Sequence, residues 1–285
     1  MLKKYFSFCM VLLTGTSFPL VLLYTRIEFP DKLISVVYFQ SIVVFFTFLM
    51  QLGLRAGGRI HLHLGRQKTV DIATIYLVKN SWKLGVCLTL LSILLRIDFF
   101  PSFIITQALL SYLQGIYVAK KDKNMIIINS ATIFISIIIA SSSIIFIQSS
   151  IVSQSVIELL SLLLLIYMSI SITDVYCSNR GRKLLLLLIS KYKGLQYSSY
   201  FIYLSAFLLS QIFVVLGGYN QSIITIYTDV ILVCGLQVLV IGKLSVFIEG
   251  KVIKDKSYRR YISIYLIWCM LSSLTLSFLY NQIFS

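Results

Sequence analysis

Few residues in this chain have types and spacings that could do chemistry. Two histidines, His61 and His63, stand two residues apart in a stretch that also carries Arg55, Arg59 and Arg66. Paired histidines ligate zinc when cysteines or carboxylates complete the set. No such cluster accompanies them, so the pair reads as solvent-facing loop side chains. No H-E-x-x-H, P-loop or G-x-S-x-G pattern occurs. Acidic residues are scattered singly, apart from Glu28 with Asp31. Catalysis needs positioned nucleophiles, acids, bases or metals. The expectation is a protein that is not an enzyme and carries no metal or cofactor.

Ionisable residues inside apolar segments say more, because burying them is costly. Asp229 lies within one such segment, and Glu158 and Asp174 lie near opposite ends of another. Arg26, Arg55 and Arg59 sit at segment ends, and Arg96 with Asp98 fills a tight connection. Arg26, Arg55 and Asp229 are the candidate substrate-binding residues, as the cationic and acidic groups of a water-filled cavity for an anionic substrate. Headgroup anchoring is the competing reading, and for Arg59, Arg96 and Asp174 it is the favoured one.

The segments that must position these residues are apolar. The chain has 285 residues, 58% hydrophobic and 12% charged, with 25 Lys+Arg against 10 Asp+Glu. Soluble domains are roughly half apolar and about one quarter charged. Disorder, a disulfide scaffold and a soluble nucleic-acid binder are excluded by this composition. A helix needs about 20 apolar residues to cross the hydrocarbon layer. That length predicts nine spans, at 5–23, 33–54, 75–95, 99–119, 125–147, 156–175, 200–216, 223–241 and 261–278. The fold class is therefore an all-α, polytopic integral membrane helix bundle.

Charge sidedness supports the count. With a cytoplasmic N-terminus, 22 of the 25 basic residues fall on the inner side and only Arg26, Lys32 and Arg96 outside. The positive-inside rule predicts that bias, so the topology is N-in, C-out. Lys79 and Lys83 interrupt the third span; they snorkel, or its first half lies along the interface. The longest inner loops, 55–74 and 176–199, are too short to fold alone, and Leu184–Ile189 forms an amphipathic stretch. Lys3 and Lys4 before the first apolar run resemble a signal peptide, but no cleavage site follows, so this run is read as a retained helix. Pro19 falls inside it and bends it. None of the five cysteines lies outside, so no structural disulfide is expected.

The order of features resembles a family. The first two spans read Phe18-Pro19-Leu20 … Tyr24-Thr25-Arg26, then Phe29-Pro30-Asp31, then Gln51-Leu52-Gly53-Leu54-Arg55. Later come Leu113-Gln114-Gly115-Ile116 and Ala119-Lys120-Lys121-Asp122-Lys123, and more loosely Ile226-Tyr227-Thr228. This resembles the polysaccharide (O-antigen-type) flippase branch of the multidrug/oligosaccharidyl-lipid/polysaccharide (MOP) exporter superfamily. Its members typically have twelve or more spans in two six-helix lobes. The resemblance implies a six-helix N-terminal lobe over 1–175, a cytoplasmic linker over 176–199 and a partial C-terminal lobe of three helices over 200–285.

The resemblance also implies a reaction. A lipid-linked (undecaprenyl diphosphate) oligosaccharide would be flipped across the bacterial inner membrane for surface polysaccharide synthesis. Arg26 and Arg55 match the family's pattern and would bind the diphosphate, with Asp229 in an ion or proton role. Implied partners are the lipid-linked oligosaccharide, membrane lipids, and glycosyltransferases or further copies of the chain; nucleic acid is not among them. Two other readings stand beside this one: a non-transporting scaffold of a glycan-assembly complex, and a multidrug exporter of the same superfamily.

Overall fold

The computed structural model describes residues 2–51, 54–95, 99–171, 179–192, 204, 207–208 and 211–230. All regular structure there is helical, with no strand among the described residues. The helices are α1 (Leu2–Glu28), α2 (Leu33–Met50), α3 (Leu54–His63), α4 (Gln67–Leu95), α5 (Pro101–Lys120), α6 (Lys123–Phe146), α7 (Ser150–Ile170), α8 (Asn179–Tyr192) and α9 (Gln221–Val230). Six of them (α1, α2, α4, α5, α6 and α7) are long and apolar enough to cross a membrane. They coincide with the first six expected spans. The ninth expected span, about half of the seventh and most of the eighth lie outside the described residues, as do Arg96, Asp98 and Asp174.

Local sequence sets the helix ends. Pro101 opens α5, where its missing N–H costs nothing and its fixed φ suits a helix start. Asp122 caps α6, its side chain accepting from the Met125 N–H at 3.2 Å. Between them Lys121 takes a left-handed φ of 60°, which closes α5 and turns the chain within two residues. Ser149 caps α7 in the same way as Asp122 caps α6. Pro19 is accommodated inside α1, which runs unbroken as one helix of 27 residues.

The chain alternates direction from helix to helix, so the bundle has two ends. One end carries residues 54–66, 120–123 and the start of α8, and with them Arg55, Arg59, Arg66, Lys68, Lys120, Lys121 and Lys123; it is the basic end. The opposite end carries Arg26 and Lys32, and the connections 29–32 and 147–149. Helix α5 is the axis: 83% of its span window is buried, against 28% for α4 and for α7. It packs on α2, α3, α4, α6 and α7. One core cluster, with Phe39, Phe100, Phe103, Ile133 and Ile157, fills the half away from the basic end. A second, with Leu54, Val70, Tyr112, Ile116 and Leu165, fills the basic half. Leucines and isoleucines of α4, α6 and α7 such as Leu94, Ile128 and Leu163 face outward. That exposure is what a lipid-facing surface requires.

Two expectations are corrected here, and a third segment, the amphipathic stretch within the linker, is helical as its pattern suggested. Residues 54–63 form a helix where a loop was expected. The segment is rich in Arg, His and Gly and reads as polar, but its two faces differ, and α3 packs one of them on α5 and α8. The third span starts at Gln67 and is one continuous helix, so its first half does not lie along the interface. Lys83 is exposed and its Nζ sits 6.0 Å from the Trp82 ring. The amphipathic stretch at 184–189 belongs to a helix, α8, which packs on α3 and α4 with Leu188 buried.

Candidate functional site

Arg55 and Arg59 are four residues apart on α3, so they share one helix face. That face lies against Gly115 of α5. A Cβ at Gly115 would sit 3.5 Å from the Arg59 Cδ and 3.6 Å from the Arg55 Nε. Gly58 makes the reciprocal approach: its Cβ would lie 2.8 Å from Ile116 Cδ1 and 3.1 Å from Tyr112 Cε2. Gly58 thus lets α3 come close to α5, and the two arginine stems lie over Gly115 at ordinary contact distance. Arg59 is buried, at 7% exposure, and does not extend outward as a headgroup anchor. Arg55 is half-buried.

His61 also departs from its expected setting. It is buried at 1% exposure within α3, while His63 is half-buried. No group of three or more His, Cys, Asp or Glu side chains that could hold a metal occurs among the described residues.

Arg26 lies elsewhere. It is half-buried in the last turn of α1, at the end of the bundle opposite α3. The 18 residues of α2 separate the two ends, a length of about 27 Å. Arg26 and Arg55 therefore cannot hold one diphosphate at the same moment. Asp229 is in α9, whose Ile224 and Tyr227 pack against Val21, Leu22, Leu33 and Val36 of α1 and α2. The Asp229 side chain lies outside the described residues. The structure thus pairs Arg55 with Arg59 and separates both from Arg26.

Sequence reading missed a polar seam along α5. The Gln114 Nε2 donates to Ser130 Oγ of α6 at 2.9 Å and to Thr14 Oγ1 of α1 at 3.2 Å. The Gln107 Nε2 donates to Ser136 Oγ at 2.7 Å, and Asn129 Nδ2 of α6 donates to the Leu110 carbonyl at 2.8 Å. Gln51 reaches the Ala108 carbonyl at 2.9 Å, and the Thr74 and Tyr112 hydroxyls meet at 2.8 Å. Toward the far end the Glu158 carboxylate is buried at 4% exposure, and its Oε2 accepts from Thr89 Oγ1 at 2.6 Å and from the Ser102 N–H at 2.9 Å. The signal available in sequence was Gln107 and Gln114, two helical turns apart in an apolar segment.

A second seam joins α2 to the segment beyond α8. Gln211 Nε2 donates to Ser41 Oγ at 2.8 Å, and the Phe45 and Phe207 rings stack at 4.5 Å. Phe213 stacks on Tyr227 at 4.6 Å. The class defined by these features is an all-helical bundle with six helices long and apolar enough to cross a membrane, and with a polar interior seam. No family model matches the chain, and neither does any curated protein or solved structure.

Proposed function

We propose that this chain is a membrane transporter of the lipid-linked oligosaccharide flippase type, similar to the polysaccharide branch of the MOP exporters. The observation that carries the reading is the Arg55–Arg59 pair, held on a rigid helix against Gly115 at the basic end. A lipid diphosphate made in the cytoplasm meets that end first if the basic end faces inward, as the positive-inside rule requires. Arg26, about 27 Å away along α2, then receives the headgroup at the other face. The two arginines act in sequence on one substrate. The seam between α2 and the segment beyond α8 supplies the path, since Ser41 and Gln211 put polar groups there. Alternating access between two lobes would move the headgroup while its tail stays in lipid.

The full proposal is nine spans, N-in and C-out, in a bacterial inner membrane. Asp229 takes an ion- or proton-coupling role, and glycosyltransferases or further copies of the chain are the partners. Deleting the gene should cause undecaprenyl-linked oligosaccharide to accumulate on the cytoplasmic face. Normal surface glycan in the deletion strain would rule the reading out.

A second reading, a non-transporting scaffold of a glycan-assembly complex, is favoured by one observation. The axis of the described body is solid: 16 of the 20 residues of α5 are buried, and three clefts beside it measure about 280–330 Å³. Wild-type export after neutralising Arg26, Arg55 and Arg59 together, with a glycosyltransferase co-purifying, would select the scaffold.

A further inference from the structure

At the end opposite α3, a cleft of about 280 Å³ opens between the starts of α2, α5 and α7. Among the described residues, Lys32 is its only charged lining residue. Ser35, Ser150 and Ser153 add hydroxyls, and Phe100 forms part of the apolar floor. Ser153 is the informative one. It is 96% buried, yet its Oγ has no hydrogen-bond partner. Buried hydroxyls are normally satisfied, so this one has unused hydrogen-bonding capacity at the wall of the cleft.

The cleft is electropositive for two reasons. Among the described residues Lys32 makes no ion pair, and none of those lining the cavity is a carboxylate. The N-terminus of α7 also reaches it through Ser150. The first amides of a helix have no intrahelical acceptor, and the helix dipole places partial positive charge there. Ser149 caps the third of them, the Val152 N–H, at 3.5 Å. An oxyanion therefore fits, and helix N-termini bind phosphate in this way.

The rim decides the source of that oxyanion. Next in the chain to the lining residues Ile147 and Ser150, Phe146 is 60% exposed and Ile151 is 73% exposed, as lipid-facing side chains would be. A headgroup in the cleft can lay its chain along them without leaving the bilayer. We propose that this cleft seats the phosphate-bearing headgroup of a membrane lipid, with Lys32 and Ser153 as its side-chain ligands. The proposal rests on membrane residence and not on translocation, so an export defect neither supports nor weakens it.

The test uses the full-length protein purified in detergent. Thermal unfolding and native mass spectrometry are read with phosphatidylglycerol, with diacylglycerol of the same chains, and with inorganic phosphate. Phosphatidylglycerol should raise the unfolding temperature and remain bound, and diacylglycerol should do neither. Lys32→Gln should weaken that binding about tenfold and Ser153→Ala about threefold. Lys32→Arg should retain it, and Lys83→Gln, on exposed α4 surface, should leave it unchanged. Equal binding of diacylglycerol overturns the proposal, as does unchanged binding by both Lys32→Gln and Ser153→Ala. Inorganic phosphate protecting as well as phosphatidylglycerol assigns the cleft to a soluble anion and overturns the lipid assignment. Ser153→Ala removes one oxygen from a buried site, so it reports on the ligand even where Lys32→Gln fails to fold.

Discussion

The Glu158 carboxylate of α7 accepts the Ser102 backbone N–H of α5 at 2.9 Å, and so acts as an N-terminal cap supplied by a different helix. Phe103 N–H adds a longer contact at 3.4 Å, and the Thr89 hydroxyl of α4 donates to the same carboxylate at 2.6 Å. One acidic side chain thus ties α4, α5 and α7 together. A lone carboxylate in a bilayer is costly. Here the cost is offset by the amides and positive dipole end of α5.

Glu158→Leu should therefore destabilise the bundle markedly. It leaves buried amides without an acceptor, at about 1–3 kcal/mol for each unsatisfied group. Glu158→Gln keeps an acceptor oxygen and should cost less. Unfolding temperatures of the two variants in detergent test this. Equal and small losses would show that the cap is dispensable.

The α3–α5 contact makes a prediction about side-chain size. At Gly58 a leucine meets Ile116 and Tyr112 in the closest part of the crossing, and overpacking of this kind costs about 1–3 kcal/mol. At Gly115 an added methyl meets only ordinary contacts of 3.5 Å or more. Gly115→Ala should fold normally, whereas Gly115→Leu should displace Arg55 and Arg59. Under the transport reading, Gly115→Leu lowers glycan export more than Gly115→Ala at matched protein levels. Export equal in the two variants would detach the arginine pair from function.

Gln114 bridges α1, α5 and α6 through two side-chain hydrogen bonds. Interhelical bonds of this sort average about 0.6 kcal/mol in membranes and rarely exceed about 1.7. Gln114→Leu should lower stability by about 1–3 kcal/mol, and Gln114→Glu should not restore it, because the donating amide is lost. Double-mutant cycles with Ser130→Ala would measure the coupling. A coupling of zero would remove Gln114 from the seam.

Sidedness can be read by cysteine labelling in a cysteine-free background. Lys121, at the α5–α6 turn of the basic end, should react as cysteine with an impermeant maleimide only after the cytoplasmic face is opened. Lys32→Cys, at the opposite end, should react in intact cells. The reverse pattern would invert the topology and place the Arg55–Arg59 pair on the outer face.

Much of the architecture was legible in the amino-acid sequence. Spans one to six follow from the length of apolar runs, because hydrocarbon thickness sets helix length whatever the neighbours are. The concentration of basic residues at one end follows from the same count. The punctuation was also local: Pro101 starts α5, and Asp122 starts α6. Segment 54–63 was not legible as a helix. Its Arg, His and Gly residues are poor evidence for burial, and only contact with α5 and α8 gives its apolar face a reason to form.

The candidate site divides in the same way. The sequence singled out Arg26 and Arg55 as cations at helix ends. The charge count also put them on opposite sides, but it could not say that Arg59 turns inward over Gly115 to join Arg55. Likewise Glu158, Gln107 and Gln114 are single polar letters in apolar runs, and their partners lie between 16 and 100 residues away in the chain. Which buried polar group finds which partner depends on helix rotation and height, and these are set by packing. The sequence by itself determined that the chain forms helices long and apolar enough to cross a bilayer, since solvent transfer acts on each segment separately. Tertiary structure alone decided where its few charges and amides meet, because a buried polar group acquires its role only from the atoms brought within about 3 Å of it.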